Sequence, residues 1–369
     1  IPFTSVYGDF QYNNKRYLLK LDALKAAKDK RDYVPKIIFS FHDEIWSSFD
    51  WKYEPEASLD YLYAARAKQL RKKYNYVVLM YSGGSDSHNI LQVFREQKLH
   101  IDELRIYYPV KYIEKRNATP DPKSPFGIAF EYQLAVLPRL KEFEDYLRNT
   151  KITIIDTTEN IFEKREGVIN DKYSDAFLST SYYHAIRMVT QNENLHSSDF
   201  PNDTCVIYGS DKPSLTLINN RVQFHFSDVG RSGGASHLYS TINHTPELFY
   251  WAKDFPLIPI KQSHVIKNFI EKNGILSQNW KKSRENWYLK NLRESTLVKT
   301  LLYGKNYNPN IFQRAIKAKD DGMFMEINEL YQKINSFDKS ISWYKNNMVV
   351  GQGQQQIIIS RMYDLGELK

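Results

Sequence analysis

The stretch that decides the fold is YVVLMYSGGSDSHNI, from Tyr76 to Ile90. Its first part, YVVLMY, is wholly apolar or aromatic, as is typical of a strand buried in a parallel sheet. The segment SGGSDS follows at once and leads into residues with a helical period. A buried strand that turns sharply into a helix predicts the first unit of an α/β fold.

Further apolar segments repeat this pattern along the chain. The predicted strands are Tyr76–Tyr81, Glu103–Tyr108, Ile152–Asp156 and Thr204–Gly209. The predicted helical stretches between them are Asp86–Gln97, Ala129–Arg148 and Ser174–Thr190. Strands that alternate with helices predict a doubly wound α/β fold, in which helices cover both faces of a parallel sheet.

The regions on either side of this unit have a different character. The pattern of residues 1–75 predicts a small N-terminal α+β cap, in which Asn13-Asn14 marks a tight hairpin turn. Residues 76–244 form the predicted central domain, in which Asn219-Asn220 marks a second hairpin. Residues 245–369 predict a mostly helical C-terminal domain. We expect its first helix to be capped by Thr245, with Pro246 at the first helical position.

Composition excludes several classes of protein. In 369 residues, 42% are hydrophobic, which is ample for a core and excludes disorder as the main state. The single cysteine, Cys205, excludes an intramolecular disulfide scaffold and a cysteine zinc site. No apolar run approaches the length of a membrane helix, and the first residues lack a signal-peptide pattern. We therefore expect a cytoplasmic protein without a membrane partner.

The SGGSDS segment has the features of an anion site. Gly83 and Gly84 let the backbone turn sharply and approach a ligand, while the N–H groups at a helix start attract negative charge. Ser82, Ser85 and Ser87 add hydroxyl groups. The natural occupant is a phosphate chain, although no Gly-Lys-Ser/Thr follows, so the segment is not a Walker A loop. The simpler alternative is a turn with a good helix cap.

SGGSDS resembles the PP-loop of the ATP pyrophosphatase superfamily, the adenine nucleotide α-hydrolase-like group that includes asparagine synthetase and NAD synthetase. The resemblance implies a HUP-type sheet of strand order 3-2-1-4, and a loop that binds the β,γ-pyrophosphate of ATP. By position, the pyrophosphate cradle would consist of Ser82, Gly83, Gly84, Ser85, Asp86 and Ser87. The resemblance covers the central part of the chain, about Tyr76 to Pro213, and the overall impression is of an asparagine-synthetase-like member encoded by a large tailed bacteriophage.

A second motif, YGSDKP, follows the strand that begins at Thr204. It resembles the Gly-x-Asp segment of NAD synthetase, and the implied strand order would bring it opposite SGGSDS, with Gly209 beside the nucleotide. Asp211 would then bind Mg²⁺, and Asp86 would orient the loop or help to hold the same cation. Lys212 would neutralise charge that develops on the phosphates. The alternative is an Asp-containing turn with a solvated lysine.

The resemblance implies that a substrate carbonyl or carboxylate oxygen attacks the α-phosphorus of ATP, which gives an adenylate and pyrophosphate. The cysteines that thiolating members of the superfamily use are missing from this chain. This leaves attack by an amine or ammonia, as in an amide-forming ligase or amidotransferase. The region before the loop is too short for a glutaminase domain, so a separate glutaminase is one potential nitrogen donor.

Two other functions remain open. The same adenylation chemistry would serve on a base of DNA or RNA, because NWKKSRENWYLKNLR, Asn279 to Arg293, interleaves aromatic and basic residues in the manner of single-strand binders. A net charge of +8 permits such a polyanionic partner without requiring it. An amphipathic helix with a solvated basic face is the alternative for this stretch. The last candidate is a nucleotide-binding module without turnover.

Four weaker candidates complete the set. GRSGGASH, Gly230 to His237, is either a lid that carries Arg231 to the phosphates or a long connection. Lys261 is either part of an acceptor site or a solvated lysine. His88 either contacts a phosphate or packs against the face of its helix. Glu247 is expected in the first turn of a helix, where a carboxylate is favoured whatever the function.

Overall fold

The fold is described from a computed structural model. The structure describes residues 5–18, 20–32, 35–115, 131–159, 190–191, 193–209, 213–226, 241, 243–273, 296–308 and 360–368. The strands are β1 (Asp9–Tyr12), β2 (Lys15–Tyr17), β3 (Ile38–Ser40), β4 (Tyr76–Met80), β5 (Glu103–Tyr108), β6 (Lys151–Asp156), β7 (Thr204–Tyr208), β8 (Ser214–Ile218), β9 (Arg221–His225), β10 (Thr245–Leu248) and β11 (Tyr363–Glu367). The α-helices are α1 (Lys20–Asp29), α2 (Asp43–Trp46), α3 (Leu59–Lys73), α4 (Ser85–Glu96), α5 (Val110–Lys115), α6 (Leu137–Glu142), α7 (Leu257–Asn273) and α8 (Thr296–Tyr303). None of these helices combines the length and the apolar character that crossing a membrane requires.

In the described part of the chain, five strands form a central sheet in the order β10-β7-β4-β5-β6, and every neighbouring pair is parallel. The middle strand, β4, is buried on both faces, and Val77, Val78 and Leu79 have no exposed surface. A strand in this position needs apolar residues at successive rather than alternate positions, which YVVLM supplies. The predicted α/β class with a parallel sheet is confirmed.

Two hairpins carry the turns that the asparagine pairs predict. Asn13 and Asn14, between β1 and β2, have φ angles of 48° and 61°. Asn219 and Asn220, between β8 and β9, have φ angles of 50° and 61°. These left-handed angles match the twist of the flanking strands, and asparagine adopts them more readily than most residues. β3 and β11 extend these hairpins into two three-stranded antiparallel sheets, so both predicted hairpins are confirmed.

Aromatic packing joins the three predicted segments of the chain. Trp51, from the N-terminal segment, lies between Phe224 of β9 and Tyr363 of β11, with ring centroids 4.7 and 4.6 Å away. Phe226, just after β9, packs on Trp46 at 4.7 Å. Near-parallel and tilted pairs at these distances add to the free energy of burial. The described residues of all three segments therefore contribute to one hydrophobic core.

The helix predicted to begin at Thr245 is wrong. Residues Thr245 to Leu248 form β10, which pairs with β7 from Thr245 opposite Cys205 to Leu248 opposite Tyr208. Thr-Pro is a local signal for a helix start, but proline is also accepted in a strand at the end of a sheet. Burial beside β7 overrides the local signal here, so the sheet continues past the predicted boundary at residue 244.

Glu247 accordingly lies in a strand, where it pairs with a buried arginine. The Arg66 side chain has no exposed surface, and its Nη2 lies 2.8 Å from Glu247 Oε2 and 2.9 Å from the carbonyl oxygen of Leu248. Lys73 Nζ lies 2.8 Å from Glu247 Oε1. Burial alone would raise the pKa of Glu247, but Arg66, Lys73 and Tyr74 outweigh it and hold that pKa below its ordinary value. The pair ties α3 to β10.

Replacing Glu247 with Gln should lower the free energy of unfolding by about 3 kcal/mol, because the buried charge of Arg66 would lose the buried carboxylate that it faces. The pair should contribute fully above the ordinary pKa of 4.5 and be lost as the pH falls through the lower pKa of the folded state. Chemical unfolding at neutral pH, and again between about pH 5 and pH 3, measures both effects.

The control is Asp254→Asn, because Asp254 also contacts Arg66, at 3.3 Å, but its side chain is 43% exposed. Exposed ion pairs contribute about 0–1 kcal/mol, so this variant should unfold almost as the wild type does. If both variants lost the same free energy of unfolding, burial would not strengthen the contribution of the Arg66–Glu247 pair to stability.

Candidate functional site

The SGGSDS segment forms the turn from β4 into α4. Gly83 has a φ angle of +71°, and Gly84 is the extended N-cap residue of α4. The first helical hydrogen bond runs from the N–H of His88 to the carbonyl oxygen of Gly84, at 3.0 Å. The N–H groups of Ser85, Asp86 and Ser87 therefore lie in the turn that precedes this bond, at the positive end of the helix dipole.

Hydroxyl groups within the turn hold its shape. The Ser87 hydroxyl donates to the carbonyl oxygen of Gly84 at 3.2 Å, and the N–H of Gly84 lies 3.3 Å from Ser82 Oγ. The Tyr108 hydroxyl donates to the carbonyl oxygen of Ser82 at 2.7 Å. In this conformation Ser82 and Ser87 bond to the loop itself, so the backbone at the helix start offers the more direct anion contact.

The space around the two glycines of the turn differs sharply. A Cβ at Gly83 would lie 2.7 Å from Val136 Cγ2, a distance at which something must shift. A Cβ at Gly84 would meet only Ser82 Oγ, at 3.3 Å, and Gly84 is exposed. Gly83 thus serves the packing of the turn, whereas Gly84 leaves an open backbone face beside the helix start.

Gly209 brings the end of β7 against the start of α4. A Cβ at Gly209 would lie 3.3 Å from both Asp86 Cβ and the Ser87 backbone nitrogen. β4 and β7 are parallel neighbours, so the loops that follow them leave the same edge of the sheet. β5 and β6 extend the sheet on one side of β4, while β7 and β10 extend it on the other. Ligands of open α/β sheets bind at such a reversal of strand order.

The structure therefore places one part of the second motif beside SGGSDS. Gly209 contacts the first turn of α4, as the sequence predicts for neighbouring loops. Asp211 and Lys212 lie outside the described residues. The same holds for Gly230 to His237, with Arg231, and for Asn279 to Arg293.

Two tyrosines that no motif indicated contact Asp86. The Tyr303 hydroxyl donates to Asp86 Oδ1, and the Tyr250 hydroxyl donates to the Asp86 carbonyl oxygen at 2.9 Å. Burial, with Asp86 close by, raises the pKa of Tyr303 well above its usual value, so its hydroxyl keeps its proton. These contacts span 217 and 164 positions in the chain, and no local pattern signals them.

His88 and Cys205 are buried packing residues. His88 Nδ1 lies 3.1 Å from the Tyr81 hydroxyl, and its ring packs edge-on against Phe143. Burial, with Arg139 and Arg95 nearby, lowers the pKa of His88 to about 3, so its ring is neutral near pH 7. Burial also raises the pKa of the Cys205 thiol, which disfavours the thiolate that a nucleophile requires.

Lys261 forms an ion pair and is largely shielded from solvent. Its Nζ lies 2.7 Å from Glu54 Oε1 and 2.9 Å from the carbonyl oxygen of Pro55. This ion pair links α7 to the segment before α3, and its partners differ from those of the SGGSDS turn. Lys261 is therefore not the solvated lysine of the simpler alternative, and its part in an acceptor site stays a prediction.

The residues at the turn fit an anion accompanied by a cation. Backbone N–H groups and the open face at Gly84 suit phosphate oxygens. Mg²⁺ takes one or two carboxylates together with phosphate oxygens, and Asp86 supplies one carboxylate at this edge. Among the residues with described positions, no three His, Cys, Asp or Glu side chains cluster closely enough to hold a metal ion by themselves. A cation here would thus depend on the phosphates for part of its coordination.

No protein-family model matches the chain, and no curated protein or solved structure matches it either.

Alanine at the two glycines should have opposite consequences. Gly83→Ala should lower the free energy of unfolding by about 1–3 kcal/mol, because it combines a left-handed φ with the contact to Val136. Gly84→Ala should cost less than about 1 kcal/mol, since its backbone is extended and its surroundings are open. Thermal unfolding of both variants beside the wild type tests this, and a larger loss at Gly84 would contradict the geometry.

Proposed function

We propose that the chain is a PP-loop ATP pyrophosphatase that acts in the cytoplasm. It adenylates a carbonyl or carboxylate oxygen of its substrate and releases pyrophosphate. An amine or ammonia then attacks the activated carbon, displaces AMP, loses a proton and leaves an amide or amidine. The protein is thus an AMP-forming ligase or amidotransferase of the asparagine synthetase and NAD synthetase type.

The observation that carries the proposal is the contact of Gly209 with the first turn of α4. It joins the two motifs that resemble this superfamily at one edge of the sheet, although they are separated by more than a hundred residues. The order β6-β5-β4-β7 further supports the resemblance, because it corresponds to 3-2-1-4 when these strands are numbered along the chain.

Each part of the turn has a role in this proposal. The N–H groups of Ser85 to Ser87 hold the β,γ-phosphates, and Gly84 lets them come close. Asp86 and Asp211 hold Mg²⁺, which when bound neutralises phosphate charge. Lys212 stabilises charge that develops as pyrophosphate leaves. The seryl hydroxyls of Ser82 and Ser87 maintain the loop around these donors.

Labelled ATP distinguishes this reaction from other uses of a nucleotide. With Mg²⁺, ammonia and a panel of carboxylate, amide and nucleic-acid acceptors, ATP labelled at the α-phosphate should yield labelled AMP together with pyrophosphate. Exclusive formation of ADP would overturn adenylation. Binding of Mg²⁺·ATP without any turnover across the panel would favour a nucleotide-binding module instead.

Asp86→Asn and Asp211→Asn should each lower turnover about a hundredfold, because each removes charge that acts on the reacting phosphates. Asp145→Asn is the matched control, since the Asp145 side chain is 98% exposed and pairs with the exposed Arg148 at 3.1 Å. Chromatography of the labelled products measures all three rates. Normal turnover in both site variants would show that these carboxylates do not hold a metal ion that the reaction requires.

The alternative acceptor is a base in DNA or RNA, which the basic and aromatic stretch from Asn279 to Arg293 favours. If it is correct, the affinity for a single-stranded oligonucleotide should fall steeply with salt, and Lys281→Ala with Lys282→Ala should reduce that slope by about 0.7 for each lost contact. Fluorescence anisotropy between low and moderate salt tests this. If the protein did not bind the oligonucleotide at low salt, a nucleic-acid acceptor would be excluded and a small-molecule acceptor would remain.

A further inference from the structure

The end of α8 lies against the start of α4, far from it in the chain. Tyr303, the last residue of α8, is only 2% exposed, and its hydroxyl donates to Asp86 Oδ1. Its ring packs against that of Tyr250 with centroids 5.8 Å apart. Tyr250 is itself bonded to the Asp86 carbonyl oxygen and to Asn89 Nδ2. Both the side chain and the backbone of Asp86 are thus held by buried tyrosines.

The turn that follows α8 fixes this arrangement further. Asn306 Nδ2 donates to Asn89 Oδ1 at 3.2 Å, and Lys305 Nζ lies 3.1 Å from Glu96 Oε1. Asp86, Asn89 and Glu96 fall on one side of α4, because their spacing is close to a whole number of helical turns. Several contacts along this side therefore determine where the Tyr303 hydroxyl lies.

A single hydrogen bond has a specific effect on a carboxylate at a helix start. An ionised carboxylate only accepts hydrogen bonds and has about four positions at which to do so. A donor at Oδ1 occupies one of these positions and restricts the orientation of the group. Hydrogen bonds of this kind orient the carboxylates of metal sites and tune their affinity.

We propose that Tyr303 is a positioning residue, which holds the Asp86 carboxylate in the orientation that binds the cation of a bound Mg²⁺·ATP. The inference rests on the proposed function. It makes the C-terminal segment part of the nucleotide site, with Tyr303 acting through Asp86 and not on the phosphates directly.

The test compares two tyrosines of one buried cluster. Tyr303→Phe removes the hydroxyl that meets Asp86. Tyr63→Phe removes an equally buried hydroxyl, which donates to the carbonyl oxygen of Leu302 at 3.0 Å and accepts from Gln262 Nε2 at 2.9 Å. Calorimetric titration with ATP, once with Mg²⁺ and once with EDTA, gives the dissociation constants, and thermal unfolding reports the stability of each variant.

Tyr303→Phe should raise the dissociation constant of Mg²⁺·ATP about tenfold, which is the usual scale for the loss of a hydrogen bond to a charged group. It should change the dissociation constant of metal-free ATP by less than about twofold. Tyr63→Phe should change neither constant by more than about twofold, although both variants lose comparable stability. If Tyr303→Phe weakened ATP binding equally with and without Mg²⁺, or if Tyr63→Phe lost the same affinity for Mg²⁺·ATP, the inference would be overturned and Tyr303 would have a packing role.

A double variant tests whether Tyr303 acts through Asp86. In an Asp86→Asn background, Tyr303→Phe should cause less than about a twofold further loss of Mg²⁺·ATP affinity. A full tenfold further loss would overturn the inference, because Tyr303 would then act independently of the carboxylate. Wild-type protein that binds no Mg²⁺·ATP would instead refute the proposed function, and the inference with it. Wild-type binding with unaffected Tyr303→Phe would refute the inference alone.

Discussion

β4 and β7 run side by side in the same direction, paired from Tyr76 opposite Thr204 to Leu79 opposite Ile207. Because parallel strands end at the same edge, this pairing brings together two loops that the sequence separates widely. The absence of a side chain at Gly209 then lets the chain touch Asp86 and Ser87. The geometry of the candidate site depends on this pairing, since α4 and the end of β7 would otherwise have no reason to meet.

Parts of the chain outside the predicted central domain hold this edge in place. Arg66 of α3 reaches Glu247 of β10, so that a buried ion pair links a flanking helix to the last strand of the sheet. Asn306, which follows α8, bonds to Asn89 of α4, and Tyr303 at the end of α8 meets Asp86. A buried ion pair adds little net stability over an apolar pair but is costly to break, so it favours one arrangement of these elements. The site is thus supported by segments from both ends of the chain.

Local signals predicted much of the fold. The four strands predicted between Tyr76 and Gly209, and the asparagine pairs at both hairpins, depend on residues close in sequence, and the structure has these strands within about one residue of the predicted bounds. Thr245 and Pro246 show the limit of such reasoning. Their local pattern favours a helix start, yet the neighbouring strand β7 offers backbone partners and burial that a short peptide lacks. The prediction failed because the deciding interaction came from elsewhere in the chain.

The features of the candidate site also divide into those that nearby residues determined and those that distant contacts determined. The sequence by itself determined the sharp turn from β4 into α4, because adjacent glycines after an apolar strand permit few other structures. It also placed the polar motif YGSDKP at the end of the strand that begins at Thr204. Only the tertiary structure decided that Gly83 is needed for packing while Gly84 stays open, that Glu247 pairs with Arg66, and that Asp86 meets Tyr303. These contacts join residues between 53 and 217 positions apart. Their distances follow from how helices and strands pack, which no short stretch of sequence encodes.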